Sequence, residues 1–125
     1  MSGRLRQPQW WGMVLSLVLI LVGLWGYMAH RQREFRVMAT VNQAEVGHQL
    51  FHALCATCHG PGGNGAGGAP VLNDGQTLAK YRTTSSLAQF IQTHMPASDP
   101  GILTSQQAVD LALWIKALNH ALPTS

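Results

Sequence analysis

Two cysteines and a histidine fall within five consecutive residues, as Cys55, Cys58 and His59 in the spacing C-x-x-C-H. Two thiols three residues apart on one helical turn can each add to a vinyl group of a porphyrin. The imidazole that follows immediately is then placed to ligate the iron at its centre. This spacing is the attachment signature of a c-type haem. It predicts one covalent haem c, with His59 as an iron ligand.

Two other kinds of site use a pair of cysteines at this spacing, a zinc half-site and a dithiol redox pair. Zinc would need a second pair of ligands at comparable spacing, and the sequence has only the two cysteines. A thioredoxin-like pair would need strands alternating with helices around it, and no convincing strand pattern is found. Haem attachment is therefore the favoured interpretation, and it leaves no cysteine for a disulfide.

A stretch of 20 residues without a charge, residues 10–29, precedes the motif. It is long enough to cross about 30 Å of hydrocarbon as a helix. Aromatic residues near both ends are typical of the two membrane interfaces: Trp10, Trp11, Trp25 and Tyr27. A cleaved signal peptide is the alternative, but its hydrophobic region would be too long, and residues 27–29 make a poor cleavage site. An uncleaved anchor is favoured.

The orientation of this anchor does not follow from its flanking arginines, because both flanks carry a similar number. It follows from the haem, since bacterial-type attachment to C-x-x-C-H takes place outside the cytoplasm. The sequence therefore predicts a single-pass protein of the cell inner membrane. Residues 1–9 are expected in the cytoplasm, and the haem domain on the periplasmic or extracytoplasmic side.

The net charge of +3 belongs mainly to the membrane flanks. From residue 43 onward there are three basic and four acidic residues, a net charge of −1. This balance leaves no basic footprint for nucleic acid, so none is expected as a partner.

The remaining patterns predict an all-α chain, with residues 30–41 as a connector and residues 42–125 as the haem domain. The connector is either a separate short segment or a continuation of the anchor helix. Asn42 and Glu45 have the form of a capping box at the start of a helix that runs into Cys55. A glycine-rich flexible loop follows at residues 60–68. Ser86 is expected to cap a second helix that ends at His94, and a second capping box starts the last helix, with Thr104 as N-cap and Gln107 at N3, ending before Pro123.

From residue 42 to about residue 120 the pattern resembles a class I cytochrome c in its membrane-anchored, monohaem form. The resemblance implies a small fold of three to four helices around the haem. It implies that Gly47 and Phe51 pack against Leu111 and Trp114 of the last helix.

The same resemblance implies the haem contacts outside C-x-x-C-H. In Pro70-Val71-Leu72 the Pro70 carbonyl is expected to accept the second ring N–H of His59, and Pro70 and Leu72 are expected to lie beside the haem. Met95, followed by Pro96, is the expected sixth ligand of the iron. His94 is its one rival, with packing or a propionate contact as its alternative role.

The function implied is single-electron transfer in a respiratory or photosynthetic chain, without catalysis. The partners expected are a quinol-oxidising complex, a dehydrogenase, a terminal oxidase or a reaction centre. Few lysines surround the haem motif, which favours a subunit or a fixed neighbour of a larger membrane complex over a diffusing shuttle. Two alternatives stay open: a haem sensor or peroxidase-like enzyme with an open sixth position, and a purely structural cytochrome.

Overall fold

A computed structural model describes residues 10–122 of the protein. Within that range there are five α-helices and no strand: α1, Trp10–Leu54; α2, Ala56–His59; α3, Gln76–Lys80; α4, Thr84–His94; and α5, Ser105–Leu118. The predicted all-α class is therefore confirmed. The described residues form two compact units, which divide between Arg36 and Val37. The predicted cytoplasmic segment 1–9 and Pro123 lie outside the described residues.

Helix α1 is 45 residues long and passes through Asn42 without interruption. The predicted capping box at Asn42 and Glu45 is therefore wrong. Residues 37–41, VMATV, contain neither glycine nor proline, so nothing ends the preceding helix. The backbone N–H groups after Asn42 belong to a helix interior and need no cap. Segment 30–41 is helical, as one of the two forms expected for the connector.

The amino-terminal part of α1 is apolar over a membrane-spanning length. It contains an 18-residue window of mean hydropathy 2.1, and none of that window is buried. By length and composition, α1 is therefore a helix that could cross a membrane. The large side chains exposed along it include all four aromatic residues predicted for the interfaces, Trp10, Trp11, Trp25 and Tyr27.

Helices α4 and α5 begin with reciprocal caps. At α5, the Thr104 hydroxyl accepts from the Gln107 N–H at 3.2 Å, and the Gln107 side chain accepts from the Thr104 N–H at 2.9 Å, as predicted. At α4 the N-cap is Thr83, not Ser86. Ser86 occupies the third helical position, where its hydroxyl accepts from the Thr83 N–H at 3.3 Å. The N-cap therefore lies three residues earlier than expected.

The core of the second unit lies where α1, α4 and α5 meet. Its most buried large side chains are Phe51, Leu87 and Leu111, each no more than 2% exposed. On α1, Gly47 lies against the backbone of Asp110 and Leu111, so that a Cβ there would overlap the Asp110 carbonyl. The close approach implied for Gly47 and the last helix is therefore present.

Helix α3 was not predicted. It has only five residues, too few to show a helical period, and it starts after Gly75, which has a left-handed φ of 80°. Its role in the fold is to form one wall beside the C-x-x-C-H turn.

Candidate functional site

The C-x-x-C-H sequence forms a tight helical turn directly after α1. The N–H groups of Cys58 and His59 both donate to the Cys55 carbonyl, at 3.1 and 2.9 Å. Cys58 is exposed and Cys55 half-buried. Burial, with a smaller contribution from Cys58, raises the pKa of the Cys55 thiol to about 11. Cys55 is therefore held as a thiol at neutral pH.

The His59 ring is oriented by the backbone. Its Nδ1 lies 2.8 Å from the Pro70 carbonyl oxygen, so the hydrogen bond implied by the resemblance is present. A carbonyl can only accept, so this bond requires the proton on Nδ1. The lone pair of a neutral imidazole is then on Nε2, which is the atom left to bind a metal.

The glycine-rich loop connects this turn to Pro70 and is hydrogen-bonded to the turn. The Gly65 N–H donates to the His59 carbonyl at 2.7 Å, and the Ala69 N–H donates to the Cys58 carbonyl at 3.1 Å. A Cβ on Gly67 would overlap the Thr57 carbonyl and lie 2.6 Å from that of Cys58. The loop expected to be flexible is therefore hydrogen-bonded to the turn at Gly65 and again at Ala69, directly after its end.

A cavity of about 770 Å³ opens beside the turn. Its volume lies within the roughly 300–1,000 Å³ typical of cofactor pockets. Every site residue predicted from the sequence lines it: Cys55, Cys58, His59, Pro70, Leu72 and Met95. The rest of the wall is mainly apolar and comes from α1, α4, α5 and the loops between the helices. The loops also supply the polar residues Asp74 and Ser98, and α3 supplies Gln76, Thr77 and Lys80.

Met95 and His94 are adjacent at the end of α4, where His94 is the last helical residue and Met95 the C-cap, but they lie in different surroundings. Met95 lines the cavity, whereas His94 is not among its lining residues. The His94 ring is exposed and stacks on Phe90, with ring centroids 4.7 Å apart, and its Nδ1 lies 2.7 Å from the Thr93 hydroxyl. The ring therefore packs on Phe90, which is one of the alternative roles expected for His94, although it is exposed.

The family model for "Cytochrome C oxidase, cbb3-type, subunit III" matches residues 42–115, more than half of the chain and the whole of the cavity. The chain belongs to this family. It is a class I c-type cytochrome.

Two curated relatives accompany that match. A "Cytochrome c-553-like" protein of Synechocystis sp. is 27% identical over 105 residues, which cover 84% of this cytochrome and 97% of the relative. A "Thiosulfate dehydrogenase" of Psychrobacter arcticus is 33% identical over 84 residues, but this cytochrome spans only 25% of that protein's length. No solved structure matches the chain.

The cavity of this cytochrome fits the haem c that its family implies. Two thiols and an imidazole converge on it from one turn, and a thioether sulfur reaches it from the end of α4. The predominantly apolar wall suits the faces of a porphyrin.

Several contacts around the site were missed by sequence reasoning. Trp114, implied to pack on α1, is half-buried and stacks on His48, with ring centroids 4.1 Å apart. Its indole Nε1 is buried without a hydrogen-bond partner. Asn119 bonds α5 to the segment that carries Leu72. No sequence pattern predicts these pairs, because their members are between 47 and 66 residues apart.

Proposed function

We propose that this cytochrome holds one haem c through Cys55 and Cys58, with His59 and Met95 as axial ligands, and carries single electrons between membrane redox complexes. The observation that carries the proposal is the presence of all four side chains around one apolar cavity of about 770 Å³. When bound, the haem supplies a one-electron ferric–ferrous couple.

Each cysteine would form one thioether. The sulfur bonds to one carbon of a vinyl group, and the thiol hydrogen ends on the other carbon, so no oxidant is needed. Because Cys55 and Cys58 lie on the same turn as His59, the two thioethers would hold the haem over that imidazole. Pro70 and Leu72 would complete this side, Pro70 through its hydrogen bond to Nδ1 and Leu72 as part of the wall.

Filling both axial positions favours a carrier over a catalyst. With His59 Nε2 on one side and the Met95 sulfur on the other, no open position would remain for a substrate. Methionine–histidine ligation raises the reduction potential of haem proteins. The apolar wall acts in the same direction, because it disfavours the additional positive charge of the ferric state. A position on the high-potential side of a chain follows.

The proposed arrangement in the cell has residues 10–29 as the anchor, residues 30–41 as the connector and residues 42–125 as the haem domain. The apolar, unburied part of α1 supports this. The haem domain is proposed to lie outside the cytoplasm, with residues 1–9 inside, because haem attachment to C-x-x-C-H takes place there. The anchor confines the domain to partners within or beside the same membrane.

The partner favoured among the redox complexes is a terminal oxidase, because the matching family is described as a subunit of one. The low charge of the haem domain agrees with a fixed partner, since long-range electrostatic steering would be weak. A quinol-oxidising complex, a dehydrogenase and a reaction centre are the other partners considered.

The proposal is tested on protein purified from membranes in mild detergent. We expect low-spin spectra in both oxidation states without added ligand, and no binding of carbon monoxide by the reduced protein. High-spin spectra or rapid carbon monoxide binding would instead indicate a sensor or peroxidase-like enzyme. The proteins that co-migrate with the haem stain identify the partner. Slow electron transfer to every one of them would favour a purely structural cytochrome.

A further inference from the structure

Asn119, directly after the last residue of α5, uses both ends of its side-chain amide. Its Nδ2 donates to the carbonyl oxygens of Leu72, at 2.8 Å, and Ile115, at 2.7 Å. Its Oδ1 accepts from the N–H of Gly75 at 2.8 Å. The orientation of the amide is fixed by chemistry, because a carbonyl can only accept and an N–H can only donate.

The two backbone groups that Asn119 binds lie at Leu72 and Gly75, at the two ends of the short segment that leads from the cavity wall to α3. Leu72 forms part of the cavity wall. Gly75 is the N-cap of α3, in the left-handed conformation with φ of 80°. Asn119 therefore fixes the backbone from the cavity wall to the start of α3. Its own position is fixed by α5, through its side-chain bond to Ile115 and a backbone bond to Lys116 at 3.2 Å.

The segment held in this way is the one that orients the haem histidine. Pro70, two residues before Leu72, accepts the bond from His59 Nδ1 at 2.8 Å. On its other side the segment is held by one backbone bond, from the Leu72 N–H to the Gly63 carbonyl at 2.7 Å, and by the Asn73 side chain on the Gly62 carbonyl at 3.0 Å. Both of those bonds end in the glycine-rich loop. The Leu72 side chain also packs against the helical core, and Asn119 adds hydrogen bonds from α5 to the backbone of the segment.

We propose that Asn119 is a positioning residue for the proximal histidine. By fixing residues 72–75 to α5, it keeps the Pro70 carbonyl where it accepts from His59. That bond sets the tautomer and the orientation of a metal-bound imidazole and raises its basicity. The inference rests on the proposed role of His59 as an iron ligand. Asn119 touches neither the cavity nor His59 itself.

The test measures the exchange of the His59 Nδ1 proton with deuterium, by NMR of the reduced holoprotein. In Asn119→Ala we expect this exchange to be at least tenfold faster than in the wild type, because the Pro70 carbonyl loses its fixed position. Asn119→Asp keeps an acceptor for Gly75 but loses both donated bonds and places a carboxylate oxygen against the Leu72 and Ile115 carbonyl oxygens, so we expect exchange at least as fast as in Asn119→Ala. Gln92→Ala is the matched control. Its amide links α4 to Ser105 at 3.0 Å, away from this segment, and we expect exchange within twofold of the wild type.

An exchange rate in Asn119→Ala within twofold of the wild type would overturn the proposal. Equally fast exchange in Gln92→Ala would also overturn it, since that would indicate a destabilisation of the whole domain and not the loss of a specific contact. If Asn119→Ala yields no holoprotein, Asn119→Asp decides by the same criterion. Failure of the proposed function is separately visible, because the wild-type protein would then give no pyridine haemochrome spectrum of a covalent haem.

Discussion

Gly47 on α1 lies against the backbone of Asp110 on α5, where a Cβ would overlap the Asp110 carbonyl and approach the Leu111 nitrogen to 3.0 Å. Both partners are backbone atoms, so neither can rotate away as a side chain could. Phe51 and Leu111, at most 1% exposed, are packed in the core beside this crossing. The contact therefore fixes how closely the two helices approach and the depth of the core between them.

Gly47→Ala is expected to destabilise the holoprotein, although alanine is the better helix former. The gain in helix propensity is about 1 kcal/mol. Overpacking a well-packed contact costs about 1–3 kcal/mol, occasionally more, and here the overlap is with backbone. We expect a net loss of about 1–2 kcal/mol, seen as a lower midpoint of denaturant unfolding. Gln49→Ala, at an exposed position of the same helix, is the control and should change stability by less than about 0.5 kcal/mol. A Gly47→Ala protein as stable as that control would contradict the close contact.

Gly47 also shows which parts of the fold the sequence could predict. The helices that carry Gly47 and Leu111 were predictable from apolar residues at helical spacing, whereas the contact between them was implied by the resemblance to class I cytochromes c. The cap at Thr104 was likewise predictable, because capping is decided within four residues. The cap at Thr83 was missed because four consecutive residues, 83–86, carry a hydroxyl, and the sequence alone does not show at which of them the helix begins.

Contacts between distant parts of the chain could not be predicted. Asn42 looks like a helix start, but the uninterrupted helix before it removes the need for a cap. Helix α3 is too short for any period to be visible. The bonds of Asn119 and the stacking of His48 on Trp114 depend on the three-dimensional arrangement of α1, α5 and the loop. Cys55, Cys58 and His59 were predictable as a candidate site because their motif is local, whereas Met95 and Pro70 were expected only from the resemblance.

The raised pKa of Cys55 gives a pH-dependent prediction for protein made without haem. Because burial raises this pKa to about 11, the thiolate that reacts with iodoacetamide should be scarce below that pH. In Cys58→Ser, which retains the larger cause of the shift, the rate of Cys55 alkylation should still rise almost tenfold between pH 9 and pH 10. In urea, where the same variant is unfolded and Cys55 is exposed, the alkylation rate should instead level off over this interval. A folded-state rate that also levels off near pH 9 would show that Cys55 is not buried.

Covalent attachment predicts that each cysteine contributes one thioether. Cys55→Ala and Cys58→Ala should each leave at most one, which shifts the pyridine haemochrome band toward that of a haem with a free vinyl group. Holoprotein should also fall sharply, because the haem fills the cavity around which the domain packs. Normal accumulation with an unshifted band in either variant would rule out attachment through both thiols.

The proposed topology predicts different protease sensitivity on the two sides of the membrane. Protease added to intact spheroplasts should remove the haem domain and leave the amino terminus protected. Tags at the two ends of the chain, detected by immunoblotting, distinguish the fragments. A cytoplasmic protein of known location serves as the control for membrane integrity. Digestion of the haem domain only after rupture would place it in the cytoplasm and overturn the proposed orientation.

Met95 and His94 give the sharpest test of the sixth ligand, because they are adjacent in sequence and only Met95 lines the cavity. Met95→Ala should abolish the weak sulfur-to-iron band near the red end of the ferric spectrum. It should also lower the reduction potential, because a thioether prefers ferrous over ferric iron. A preference of about 2–3 kcal/mol corresponds to roughly 90–130 mV for a one-electron couple.

Two further variants separate ligation from packing. Met95→His should restore a low-spin haem at a lower potential than the wild type, since imidazole favours the ferric state. His94→Ala is the matched neighbour, and it should keep both the band and the potential because the His94 ring is exposed and does not line the cavity. If His94→Ala instead abolished the low-spin state while Met95→Ala retained it, the ligand would be the histidine. The cytochrome would then belong on the low-potential side of its chain.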